Sequence, residues 1–220
     1  MRITSAFFFT FFILLSFSCE KSEHHSIPKT ANEALTALME GNERFINNAS
    51  IHHNFIDEAH HSEKEQHPHT FVLSCIDSRV PPEIVFDQGI GNLFVARVAG
   101  NIEDPNILGS MEYAVQVKGT KLLVVLGHSN CGAVQGAIDN VNLGHLTQLT
   151  NQIKVAFSHH RTYPLPEHLT NEAGRLNVLS TIDHILSSSQ IIRELVNKKK
   201  IKIVGTFYDL HTGKVELLQS

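Results

Sequence analysis

The apolar residues of this chain follow two spacings. Short unbroken runs occur at Phe71-Val72-Leu73, at Leu93 to Val98 and at Leu122-Leu123-Val124-Val125-Leu126, each bounded by polar or turn-forming residues. Their length and β-branched content predict buried strands at about 71–75, 93–98 and 121–126. Elsewhere the apolar positions recur at helical spacing. Ala34, Leu35, Leu38, Met39, Phe45 and Ile46 predict a helix over about 31–47. It opens with a capping box in which Thr30 is the N-cap and Glu33 the third helical residue. Its apolar side needs a partner, either the protein's own core or a neighbouring subunit. Ile107, Leu108, Met111, Ala114, Val115 and Val117 predict a helix over 107–118 that stops near Gly119. Further helices are expected at 131–139, 143–160 and 170–198, the last two separated by Pro164 and Pro166. Residues 48–69 read as a polar loop with a short helix around Asp57 to Glu65, and Pro81-Pro82 can start a helical turn. A strand begins at Ile201, and Thr212-Gly213 turns the chain into a final strand, Lys214 to Leu218. Strands alternating with helices predict an α/β fold. Its central sheet would hold about four mostly parallel strands and an antiparallel edge strand, flanked by helices and an N-terminal helical arm.

The N-terminus carries a different pattern. Arg2 precedes an apolar stretch, Phe7 to Phe17, broken only by Thr10 and Ser16 and short for a bilayer span. Ser16-Phe17-Ser18 gives a small-x-small cleavage pattern before Cys19, so residues 1–18 are expected to be a signal peptide and the protein to be exported to the periplasm. Cys19 after a small residue also resembles a bacterial lipobox, although Ser16 stands where such boxes favour Leu. Both a soluble periplasmic protein and one lipid-anchored at Cys19 are compatible with this pattern. Residues 19–29 read as a linker and 30–220 as a single domain, a size that suits one core. The formal charge of −4 and pI near 6.4 give no reason to expect nucleic acid or an anionic membrane surface as partner. Membrane contact is expected only through an anchor on Cys19. The pairs His24-His25, His52-His53, His60-His61 and His159-His160 lie in polar surroundings and read as solvated surface.

The chemistry sits where two of the strands end. Phe71-Val72-Leu73 leads into Cys75-Ile76-Asp77-Ser78-Arg79, and the run 122–126 leads into Gly127-His128-Ser129-Asn130-Cys131. In an open α/β sheet the carboxyl ends of strands are where ligands bind. Cys75, His128 and Cys131 form a zinc-ligand set of three, which leaves one position open as in catalytic sites. In an oxidising compartment a Cys75–Cys131 disulfide is the competing reading. Asp77 and Arg79 fall on one side of an extended segment. Asp77 could ligate the metal and close the set, or serve the chemistry while Arg79 grips it with two parallel hydrogen bonds. A lone His-x-x-Cys is a weak signal; joined to Cys-x-Asp-x-Arg at the end of an earlier strand, it is a strong one.

With those motifs the chain resembles the β-class carbonic anhydrases over about residues 30–218. The family's Cys-x-Asp-Ser-Arg and Gly-His-x-x-Cys-Gly motifs stand at Cys75 to Arg79 and Gly127 to Gly132. Further matches are Gly41 to Phe45, the Phe-Val-x-Arg run Phe94 to Arg97, Asn101, and the ending Tyr208 to Gly213. The resemblance implies zinc on Cys75, His128 and Cys131, one ion per subunit, and an Asp77–Arg79 catalytic dyad. It implies a donor role for Gln66 and a substrate cleft lined by Phe94, Tyr113 and Ala99, for which core packing is the alternative. The implied reaction is reversible hydration of carbon dioxide to bicarbonate by zinc-activated water, in a homodimer or dimer-based oligomer. Hydrolysis of carbon disulfide or carbonyl sulfide on the same scaffold, or a non-enzymatic zinc or thiol protein of the envelope, are the alternatives. Family members with a closed site tend to carry Trp three residues before the first zinc cysteine. Val72 stands there and the chain has no Trp, so an open site with Asp77 on Arg79 is expected.

Overall fold

The structure, a computed structural model, describes residues 27–52, 54–157 and 169–218. The expected signal peptide, Cys19, most of the linker, Pro164 and Pro166 lie outside these residues. The elements run α1 (Ala31–Ile46), α2 (Phe55–Ser62), β1 (Thr70–Ser74), α3 (Pro82–Val85), β2 (Leu93–Arg97), α4 (Pro105–Glu112), β3 (Leu122–His128), α5 (Gly132–Ile138), α6 (Gly144–Val155), α7 (Leu169–Ser188), α8 (Gln190–Asn197), β4 (Lys202–Tyr208) and β5 (Val215–Leu218). No helix among the described residues is long and apolar enough to cross a membrane.

The strands form one sheet in the order β2-β1-β3-β4-β5. The first three pairings are parallel and β4–β5 is antiparallel, giving four parallel strands and one antiparallel edge. Every residue of β1 and β3 is buried, because both sheet faces are covered and an unbroken apolar run satisfies both. Alternate side chains then serve opposite layers. Phe71, Leu73, Leu123 and Val125 pack against Met111 of α4, Val178 and Ile185 of α7 and Ile192 of α8. Val72, Leu122, Val124 and Leu126 pack against Ala34 and Leu38 of α1 and against Val85 and Phe86. The apolar face of α1 is therefore taken up by the protein's own core.

Two positions fix how α1 lies. Gly41 is needed for close approach, since a Cβ there would stand 1.8 Å from the Phe86 carbonyl oxygen. Asn42, buried beside it, donates to the carbonyls of Val85 (3.0 Å) and Gly213 (2.9 Å) and accepts from the Val215 N–H (2.8 Å).

Four expected boundaries move. The helix expected over 170–198 is two helices, because Ser189 leaves the helical path and its hydroxyl caps α8 by accepting from the Ile192 N–H at 3.1 Å. The helix expected from 107 starts at Pro105, where Asp104 accepts from two backbone N–H groups at 2.8 Å. Its last turn, Tyr113–Val117, widens into a π-turn, with the Lys118 N–H reaching the Tyr113 carbonyl at 3.2 Å. The short helix expected near Asp57 to Glu65 begins at Phe55, capped by Asn54.

Candidate metal centre

The parallel register of β1 and β3 sets Ser74 beside Leu126, so the chain leaves both strands at the same end of the sheet. Cys75 directly follows β1, His128 closes β3, and Cys131 is the N-cap of α5. The tight return between His128 and Cys131 needs a left-handed residue, which Asn130 provides at φ 53°. The Asn130 N–H is fixed by the Asn171 side chain at 2.9 Å. Ser129 ties the return to the end of β4: its N–H donates to the Tyr208 carbonyl and its Oγ accepts from the Leu210 N–H, both at 2.9 Å. Gly100, at φ 72°, turns its N–H to Cys75 Sγ at 3.4 Å while Asn177 holds its carbonyl at 2.7 Å.

The donor atoms of Cys75, His128 and Cys131 all lie within 4.8 Å of one another, and all three side chains are buried. The two sulfurs are 4.0 Å apart and both cysteines are free, so the disulfide reading is not realised. Their spacing is close to the roughly 3.8 Å of two thiolates sharing one tetrahedral zinc. His128 Nδ1 lies 2.9 Å from the Ser129 carbonyl, and since a carbonyl only accepts, Nδ1 carries the hydrogen. His128 Nε2 therefore presents its lone pair, and it is a buried nitrogen with no hydrogen-bond partner among the described residues. A buried orphan acceptor facing two thiols is what a divalent metal satisfies, so the donor set fits zinc. The two thiols are shifted in opposite directions. Cys75 is pushed down to about 4, chiefly by the hydrogen bond from Cys131 and against its own burial, helped by the N–H groups of Gly100 and Asp77. Cys131 is pushed up, by that same bond to Cys75 and by burial. Metal binding would hold both as thiolates and release their protons.

Asp77 stands at the rim. Arg79 donates to it from Nε (2.9 Å), from a terminal guanidinium nitrogen (2.7 Å) and from its backbone N–H (3.0 Å). This bidentate grip holds the Asp77 carboxyl well below the usual carboxylate range, while partial burial works the other way. Asp77 Oδ2 remains 3.9 Å from His128 Nε2. Arg97 had no role assigned from sequence, yet it braces this segment, donating to the carbonyls of Cys75 (2.9 Å) and Asp77 (2.5 Å). The Phe-Val-x-Arg run was its only signal, because the groups it holds are backbone.

The other expected site residues divide between the two ends of the sheet. Ala99 opens the turn that carries Gly100, beside Cys75. Phe94 pairs with Phe71, four residues before Cys75 and so roughly 13 Å back along the strand. Phe94 packs edge-on to Tyr113 with ring centroids 6.2 Å apart, and both line a cavity of about 570 Å³ that none of the three metal-ligand candidates lines. Gln66 is exposed and borders another cavity, beside Glu65 and Lys118. Within one protomer, Gln66, Phe94 and Tyr113 do not meet the Cys75–His128–Cys131 cluster.

Residues 70–215 match the family model described as carbonic anhydrase. The chain is 35% identical over 190 residues to carbonic anhydrase 2 of Mycobacterium tuberculosis, covering 84% of this chain and 91% of that one. It is 36% identical over 190 residues to the carbonic anhydrase of Mycolicibacterium smegmatis, with the same coverage of 84% and 91%. Among solved structures it resembles a tetrameric β-carbonic anhydrase of Sordaria macrospora, with a TM-score of 0.68, 26% identity, and coverage of 86% of this chain and 98% of that one.

Proposed function

The chain belongs to the β class of the carbonic anhydrase family, and on that premise we propose that it catalyses the reversible hydration of carbon dioxide to bicarbonate and a proton. The observation that carries this reading is the buried Cys75–His128–Cys131 cluster with an unpartnered His128 Nε2 and an ionised Asp77 at its rim. These three residues would hold one zinc ion. Zinc bound there would supply a Lewis acid that lowers the pKa of a bound water and so provides the nucleophile.

The chain's own residues do the rest. The Ser129 carbonyl fixes the His128 tautomer, and Arg97 and Gly100 hold the Cys75 segment in place. Asp77, kept ionised by Arg79, can only accept a hydrogen bond, so it would take one from the attacking water and turn a lone pair toward carbon. Arg79 would at the same time keep Asp77 off the donor set, leaving the site open. Gln66 would donate to a substrate oxygen as negative charge builds, and Phe94, Tyr113 and Ala99 would give a nonpolar lining suited to a small gas. Since Gln66, Phe94 and Tyr113 lie apart from the cluster of their own protomer, we place them in the site of a second copy, across a homodimer interface along the half-buried edge strand β2. Residues 1–18 would direct export to the periplasm, with Cys19 as the candidate lipid anchor.

Stopped-flow carbon dioxide hydration on zinc-loaded protein at pH 8 tests the reaction. Activity should vanish on chelation and fall about 100-fold or more in Asp77→Asn. Absence of activity, or activity indifferent to Asp77 and Cys131, overturns the proposal.

A further inference from the structure

The balance of charge over the whole chain is mildly acidic, but its lysines are not spread evenly. Lys198, Lys199, Lys200 and Lys202 crowd five consecutive residues. Lys199, Lys200 and Lys202 line a single cavity of about 620 Å³ together with Lys29 and Lys121. No carboxylate lines that cavity, and none of these five lysines forms an ion pair among the described residues. Two described acids lie near by: Glu33 borders the patch, accepting from the backbone N–H groups of Lys29 and Thr30, and Glu194 pairs with Lys198 at 2.9 Å. Among the described residues, five ammonium groups without an ion-pair partner surround one concavity, with Lys202 Nζ held by the Asn32 side chain, and they make a local positive field that the net charge of −4 conceals.

The fold gives this patch a direction. Lys121 immediately precedes β3, Lys199 and Lys200 precede β4, Lys202 opens β4, and the Lys202 N–H bonds the Lys121 carbonyl at 3.0 Å. The lysines therefore gather at the amino ends of the parallel strands. His128 closes β3 at the other end, about 20 Å away along the strand. Lys29 also lies close to where the chain arrives from its apolar N-terminal stretch, only ten residues after Cys19.

We propose that this lysine face is a docking surface for an anionic phospholipid bilayer. This builds on the export reading above, since an anchor near residue 19 would bring the same face to the membrane. The phosphate-bearing headgroups would meet Lys29, Lys121, Lys199, Lys200 and Lys202 of one protomer. One acyl chain or a short apolar segment gives only marginal attachment, and a polybasic surface is the kind of second signal that makes it stable.

The test measures partitioning of the full-length protein onto pure phosphatidylcholine vesicles and onto vesicles enriched in phosphatidylglycerol, for the wild type and for Lys199→Gln/Lys200→Gln/Lys202→Gln. Binding to neutral vesicles reads the N-terminal segment alone, so the anionic preference stands or falls independently of the export reading. The wild type should prefer the anionic vesicles at low salt, and the triple substitution should weaken that preference by about 100-fold, at roughly fivefold per lysine. Added salt should erase the difference. Carbon dioxide hydration by the triple variant should be unchanged, which shows that it folds. A wild type without anionic preference, or a variant that keeps it, overturns the proposal. So does displacement by inorganic phosphate beyond that of chloride at equal ionic strength, which would mark a discrete anion pocket instead.

Discussion

Arg97 shows how much of a site can rest on a residue that touches no ligand. Its guanidinium spans the carbonyls of Cys75 and Asp77, so one side chain fixes both the first thiol and the carboxylate two residues on. Replacing it by Gln removes the fork while keeping a polar side chain of similar reach. Arg97→Gln should weaken zinc retention about 10- to 100-fold, the usual cost of losing a group that orients metal ligands, read by competition with a chromophoric chelator. Far-ultraviolet circular dichroism should stay unchanged, because Arg97 ends an edge strand and is exposed. At this scale the sequence was legible where chemistry resides in side chains. Cys75, His128 and Cys131 stood out by their types and spacing, and so did the Asp77–Arg79 alternation. Arg97, Gly100 and Ser129 did not, because each acts on or through the backbone, and backbone partners leave no pattern of residue types.

Among the elements, α1 shows how much one side chain can do to place a helix. Asn42 alone ties it to the end of α3, to the turn at Gly213 and to β5. Asn42→Ala would leave the Val85 and Gly213 carbonyls and the Val215 N–H without those partners, a loss of about 2–4 kcal/mol that a shifted urea midpoint at unchanged slope would report. Gly41→Ala should cost more, since its Cβ would meet a backbone oxygen that cannot step aside. A charged contact secures the same helix. Arg44 Nε donates to Asp87 at 2.5 Å, the Ser50 hydroxyl donates to it as well, and the Ile51 N–H adds a bond at 3.2 Å. Burial alone would raise the Asp87 carboxyl, but Ser50, Arg44 and Ile51 outweigh it and the net shift is downward. A carboxyl lowered by folding binds fewer protons folded than unfolded. Its stabilisation is therefore complete above the unfolded value of about 3.9 and is lost as pH falls through the folded one. Asp87→Asn should accordingly be less stable than the wild type at pH 7, and urea midpoints should converge as pH drops below about 4. The sequence announced α1 through its capping box and periodicity, but left open what its apolar face would meet. The break at Ser189 was hidden because helical periodicity runs on through α8, and only the hydroxyl that caps Ile192 marks the joint.

For the molecule as a whole, the polarity of the sheet decides what one chain can do alone. Parallel strands gather the metal-ligand candidates at their carboxyl ends, and the same register puts Phe94 and Gln66 toward the amino ends. No local pattern could have revealed that separation, because spacing along a chain says nothing of which copy's site a residue serves. If Gln66 works in the site of a second copy, the two defects Cys131→Ser and Gln66→Ala damage different halves of a shared site. Each homodimer should then be impaired at both of its sites. A mixed dimer, however, joins an intact ligand set on the Gln66→Ala subunit to an intact Gln66 on the Cys131→Ser subunit, restoring one site of the two. Random reassortment of equal amounts makes about half the dimers mixed, so activity should return to about a quarter of the wild-type rate. Stopped-flow assay after co-refolding, with each variant refolded alone as the baseline, reads this directly. A mixture no more active than the average of its parents would mean that Gln66 acts within its own protomer or not at all. It would also remove the reason to assign Phe94 and Tyr113 to a shared cleft, leaving their edge-on stacking as ordinary packing.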